Sequence, residues 1–247
     1  MSSEREILTK LNLKSRDFND LPLSRLRDIL TELYTQEISL LCGTNKRINT
    51  ICEDESFWKN VVFQQYGLDK KYGETWRKTA MNMDKANMIN LGKKWYDGRT
   101  YREIMDEQYK KKHIDVNEFY SLRVRFLRPI VDWNEDVVET IATLDLGEYD
   151  LQDLAEEELD RQFTDEVIDE ILHIMDREID VIEAAVSSQR FIGNNDHLPG
   201  YEIPKDAIKM DKNGRRADYY IRELIDPVLY LMQYSLFESD ILRGVRD

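Results

Sequence analysis

Glycine and proline are scarce in this chain, ten and five among 247 residues. A fold of many short strands turns often and needs such residues at its turns, so an all-β architecture is disfavoured. Cysteine is rarer still: Cys42 and Cys52 stand ten positions apart with no Cys-x-x-Cys spacing. They read as two small buried apolar residues rather than a redox or metal centre. The three histidines, His113, His173 and His197, have no Cys or His at ligand spacing, so no metal site is expected. Long apolar runs are missing too. The longest is five residues, Val228 to Met232, against the roughly 20 that a spanning helix needs, so no membrane contact is expected. The start, Met-Ser-Ser-Glu-Arg-Glu, is followed by no apolar stretch of the signal-peptide kind, and no Asn-x-Ser/Thr sequon occurs. An intracellular protein, cytoplasmic or nuclear, of a reducing compartment is expected.

What is present favours helices. Hydrophobic residues make up 41% and charged residues 34%, which is enough apolar material for a core and rules out a broadly disordered chain. The Leu/Ile/Glu/Lys-rich texture suits helices. The net charge is -14 and unevenly spread. Residues Glu135 to Glu183 hold nineteen acidic side chains against two basic, whereas Asp69 to Arg128 hold fifteen basic against nine acidic.

The apolar spacing predicts a series of short helices. Leu26, Ile29, Leu30 and Leu33 recur on one helical face, with Pro22 and Ser24 at its start. Ile38 to Cys42 form a second segment that Gly43 can end. Asn45 can cap a third and Asp54 or Ser56 a fourth, which Gly67 stops. A helix is expected over residues 74–95, another from Tyr101, and a strand or helix over FYSLRVRFLRPIVDW, where Leu122, Val124 and Phe126 alternate with charge. Helices are also expected over Asp136–Leu144, Asp150–Phe163 and Thr164–Gln189. A loop follows at Gly193–Pro204, then a last helical stretch over Arg216–Leu242, kinked or divided at Pro227. In the Thr164–Gln189 helix, Ile168, Leu172, Met175, Ile179, Ile182 and Val186 make one apolar stripe. Val167, Ile171, Ile174, Val181 and Ala185 make a second, interrupted by Glu178. Two adjacent stripes predict a core helix with more than one neighbour.

One stretch carries more than periodicity. Leu21-Pro22, then Leu26, Ile29-Leu30 and Leu33, then Ile38 to Cys42, Asn45-Lys46 and finally Phe57-Trp58 stand in the order and spacing of an F-box, which residues 21–67 resemble. The segment departs from many members at Asn45-Lys46-Arg47-Ile48, where they carry a large apolar residue after the basic one. The continuation, CEDESFWKNVVFQQYG and then TWRKTA, is similar to F-box-like proteins of large DNA viruses, and no WD40 or leucine-rich period follows. The resemblance implies a mainly α chain: a lead-in at 1–20, a three-helix F-box-like module at 21–67 and a larger, mostly helical domain at 68–247, with a short strand pair as its one β candidate. It also implies a non-catalytic adaptor that docks on the Skp-type linker of a cullin–RING ubiquitin ligase and presents a protein substrate with its C-terminal domain. Leu21, Pro22, Leu26, Ile29, Leu30, Leu33, Ile38, Leu41, Phe57 and Trp58 would then be the partner-binding residues. Forty residues bury little surface alone, which agrees with a module that seeks a partner.

No phosphate loop, nucleophile elbow or paired-ligand motif appears, so neither catalytic residues nor a cofactor are assigned. DKNG at Asp211–Gly214 lacks the ligands that would complete a calcium loop. Two other readings stand beside the adaptor. One is a virion-associated scaffold that keeps the F-box-like fold. The other is a nucleic-acid binder using residues 93–128, where Lys93, Lys94, Lys110–Lys112, Arg123, Arg125 and Arg128 mix with aromatics. The overall charge repels phosphate and disfavours the latter, and the basic tract is better matched to the chain's own acidic half.

Overall fold

The computed structural model describes residues 4–11, 20–110, 116–144, 146–191, 226–238 and 242. Helices dominate. Among the described residues the only β pairing is an isolated bridge between Lys94 and Thr100. In chain order the helices are α1 (Glu4–Lys10), α2 (Leu23–Thr31), α3 (Thr35–Thr44), α4 (Lys46–Cys52), α5 (Glu55–Tyr66), α6 (Trp76–Lys85), α7 (Tyr101–Lys110), α8 (Val116–Leu127), α9 (Glu135–Thr143), α10 (Glu148–Leu159) and α11 (Asp165–His173). A π-helical turn (Ile174–Ile179) leads on to α12 (Asp180–Phe191), and α13 (Pro227–Tyr234) follows. No helix among the described residues is long and apolar enough to cross a membrane.

Residues 21–67 fold as four short helices, α2 to α5, where the resemblance implies three. Local chemistry sets their limits. Asn45 accepts the N–H groups of Arg47 and Ile48 and so starts α4, which lets α3 run through Gly43 to Thr44. Asp54 caps α5 by accepting from the Ser56 N–H. Gly67 ends α5 at φ 66°. A Cβ there would lie 2.1 Å from the Gly92 nitrogen, so backbone conformation and space both demand glycine. Cys42 and Cys52 are buried as expected, but they are joined in a disulfide rather than standing as separate thiols. The turn at Asn45 folds α4 back on α3 and brings the two sulfurs together. Packing continues past residue 67: α6 lies on α5, the Leu91 N–H donates to the Tyr66 carbonyl at 3.1 Å, and α1 covers α3 with Ile7 and Leu8 buried.

The helix expected over 74–95 stops at Lys85. Asn87 takes φ 49°, a left-handed conformation that asparagine tolerates better than most residues. A tight turn follows, closed by the Trp95 N–H to the Arg99 carbonyl with Gly98 at φ 89°. The turn buries Trp95 against Tyr101 and Phe126. The ambiguous segment at 119–133 forms most of α8 and the turns after it, not a strand. Phe119, Leu122, Arg123, Phe126 and Leu127 are its buried set, which is a helical period.

The rod of α11, π turn and α12 is central. Ile168, Met175, Ile179, Ile182 and Val186 of one stripe are buried, as are Ile171, Ile174, Val181 and Ala185 of the other; Val167 and Leu172 are half-buried. Helices α7 and α13 pack on α12, and α8 packs on the π turn, which supplies the several neighbours that two stripes require. The rod is not one continuous α-helix, because the π turn widens it at its middle. Pro227 opens α13 at its first position behind an Asp226 cap, so of the two expected outcomes a helix starts at Pro227 and does not bend there. The expectations placed on His113, His197, Lys111, Lys112, Gly193–Pro204, Asp211–Gly214 and residues 216–225 lie outside the described residues.

Candidate functional site

The ten residues expected at a partner edge separate into two sets. Leu26, Leu30, Leu33, Ile38, Leu41, Phe57 and Trp58 are each at most 2% exposed and belong to the hydrophobic core. Leu21 and Ile29 are half-buried and Pro22 is exposed. Leu23 prolongs the 26–30–33 stripe to the first residue of α2 and remains 44% exposed there. It was not among the expected residues, although the stripe's own spacing points to it. Leu21, Pro22, Leu23 and Ile29 are thus the apolar residues at and just before α2 that keep accessible surface.

A second set of functional-type residues lies around the π turn. Glu178, the charged residue in the apolar stripe, is 3% exposed. It accepts hydrogen bonds from Lys93 Nζ at 3.0 Å and from the Tyr101 hydroxyl, and His173 Nε2 stands 3.2 Å from its other oxygen. Burial alone would raise this carboxyl's pKa, but the bonds from His173 and Tyr101 and the Lys93 charge outweigh it and hold it below the usual carboxylate range. Burial and the Glu178 charge push the Tyr101 phenol well up. Beside this group, Arg123 of α8 is buried and donates to Asp180 Oδ1 at 2.5 Å and to Glu183 Oε2 at 2.7 Å. Lys93 and Arg123 come from the basic tract, and Glu178, Asp180 and Glu183 from the acidic half. The two charge blocks meet inside the molecule. Further out, Arg99 pairs with Asp97 and Glu107, Arg102 with Asp106 and Arg128 with Glu135, so much of the basic tract faces carboxylates rather than solvent.

A carboxylate with a depressed pKa stabilises the fold above its unfolded value of about 4.3 and loses that contribution as pH falls through the folded value. Glu178→Gln is therefore expected to cost about 1.5–3 kcal/mol at neutral pH, the value of bonds made to a charged group. Denaturant titrations should show that deficit shrinking as the pH is lowered towards about 3. A deficit of the same size at both ends would mean that the Glu178 charge does not matter.

A cleft of about 790 Å³ opens beside this cluster, between the C-terminal ends of α2 and α5 on one side and α11 with the π turn on the other. Leu33, Tyr66, Met88, Ile89 and Leu172 supply its apolar surface; Glu32, Tyr34, Asp84, His173, Arg177 and Glu178 are its polar and aromatic members. The Arg177 guanidinium donates to the carbonyls of Asn87 at 2.9 Å, of Phe237 at 2.7 Å and of Ser235. Burial pulls its pKa down. Arg177 thus clamps the π turn to the loop after α6 and to the end of α13. No group of three or more His, Cys, Asp or Glu side chains among the described residues is arranged to hold a metal ion. The sequence signals for the cleft were slight: Glu178 breaking an apolar stripe marked one wall, and nothing marked Arg177 or Asp84.

Comparison with protein-family models, with curated proteins and with solved structures gives no match for this chain.

Proposed function

We propose that the chain is a protein–protein interaction adaptor, docking through the α2 edge of its F-box-like segment on a Skp-type ligase linker and carrying a substrate on the remainder. The observation that carries this reading is the accessible apolar set Leu21, Pro22, Leu23 and Ile29 at and just before α2, beside the buried stripe of Leu26 and Leu30. Apolar side chains left open at the end of a packed stripe are what a docking helix offers a partner. The test is co-purification of the purified full chain with a purified Skp-type linker. Leu23→Asp combined with Ile29→Asp is expected to abolish capture while leaving the far-ultraviolet helical signal intact, because neither residue is fully buried. Capture unchanged in the double variant overturns the reading. A wild-type chain that ignores the linker but assembles with itself would favour the scaffold alternative.

A further inference from the structure

The cleft between α2, α5 and the π turn is lined by none of Leu21, Pro22, Leu23 and Ile29, the residues proposed to dock the linker. Its charged members differ in one respect that decides what it can hold. Arg177 is committed to three backbone carbonyls, and Glu178 to Lys93, Tyr101 and His173. The Arg177 donors are thus occupied although the group stays cationic, and the Glu178 charge is offset by Lys93. Glu32 and Asp84 have no ion-pair or side-chain hydrogen-bond partner among the described residues, and both are negative. Three carboxylates against one arginine leave the cleft acidic on balance, on a chain of net charge -14. Its floor is apolar: Leu33, Tyr66, Met88 and Ile89 are almost wholly covered by neighbours, while Leu172 stays half-buried at the cleft wall. Tyr34, 70% exposed, stands at the rim as the kind of aromatic anchor that interfaces favour. The widened π turn places Arg177 and Glu178 in the wall, and such turns recur at functional sites.

We propose that this cleft seats a short basic–apolar segment of a partner protein. An aliphatic or aromatic side chain lies against Leu172 at the wall, and a flanking Lys or Arg faces Glu32 and Asp84. The cleft is lined by both carboxylates and apolar side chains, so a length of chain can meet the two with neighbouring side chains. The inference rests on the reading of the chain as an adaptor, and names the chemistry of what it carries.

A positional-scanning library of nine-residue peptides, probed with the purified full chain, tests it. Peptides with Lys or Arg next to Leu, Ile or Phe should be selected. The tightest of them, labelled and followed by fluorescence anisotropy, should lose at least tenfold in affinity with Glu32→Lys/Asp84→Lys and an intermediate amount with Glu32→Gln/Asp84→Asn. The Leu23→Asp/Ile29→Asp variant should bind that peptide as the wild type does, so failure of linker docking and failure of the cleft are separable. Selection of acidic or phosphorylated peptides, no selection at all, or equal affinity in the Glu32/Asp84 variants overturns the proposal. A dimer in sedimentation that the Glu32→Lys/Asp84→Lys variant dissociates would place a second copy of the chain in the cleft and overturn it equally.

Discussion

Replacing Arg123 by leucine should lower folding stability by about 3–5 kcal/mol, the cost of removing one partner from a buried charge group. Arg123 is 5% exposed, and the carboxylates it meets, Asp180 and Glu183, are 2% and 3% exposed. One guanidinium nitrogen, NH2, reaches both, at 2.5 and 2.7 Å. Taking the cation away leaves two buried negative groups without the positive charge that offsets part of theirs, and water cannot enter freely to replace it. Lysine is expected to recover only part of the loss, because one ammonium on a flexible stem does not reproduce a planar fork of donors. Exchanging all three residues for apolar ones of similar volume should recover far more than lysine does, since the penalty comes from the unbalanced charge and not from lost attraction alone. Urea unfolding of the three variants decides between these origins. A loss under about 1 kcal/mol for Arg123→Leu would mean that the carboxylates are satisfied without it.

The charge blocks that make this group were visible in the sequence before any fold was known. A tract rich in Lys and Arg and a tract rich in Asp and Glu invite mutual neutralisation, but which members would be buried was not legible. Arg123 looked like one of three arginines alternating with apolar residues, a strand-like pattern; the period that won was Phe119, Leu122, Arg123, Phe126 and Leu127. The helix ends at Asn45, Asp54 and Gly67 were readable because each depends on one side chain or one φ angle acting locally. The end of α6 was not, because it depends on Asn87 turning left-handed so that Trp95 can reach Tyr101 and Phe126, a contact between distant parts of the chain. The π turn was hidden for a similar reason. The apolar stripes run unbroken through it apart from Glu178, whose partners Lys93 and Tyr101 are more than seventy positions away. The cysteines were read by composition, which carries no information on which turn brings two of them together. The apolar order of the 21–67 segment was plain; which of its residues face inward and which outward required the packing of α1, α3, α5 and α6 around them.

Trp58→Ala tests that division. The resemblance assigns Trp58 to the partner surface, yet its side chain is fully buried and its indole Nε1 donates to the Cys52 carbonyl at 2.8 Å. Its ring meets the Phe57 ring edge-on at 5.4 Å, and the Arg77 guanidinium lies 5.6 Å from its centroid. Truncation removes a large apolar surface, leaves a cavity and strips the Cys52 carbonyl of its donor, and an expected loss of about 3–5 kcal/mol follows. The disulfide between Cys42 and Cys52 keeps α3 and α4 tied, so the damage should reach first the packing of α5 on α6. Trp58→Phe keeps an aromatic in the space and isolates the hydrogen bond together with a smaller volume change, so its loss should be clearly smaller. The two roles predict different pairs of measurements. A core Trp58 gives a large fall in thermal stability, and at temperatures where the variant remains folded its capture of a Skp-type linker stays within a few-fold of wild type. A docking Trp58 gives the reverse: stability near wild type and linker capture lost. Because the surface of this residue is already used inside the chain, the first outcome is the one its environment requires, and Leu23 and Ile29 are left as the residues on which the proposed docking would rest.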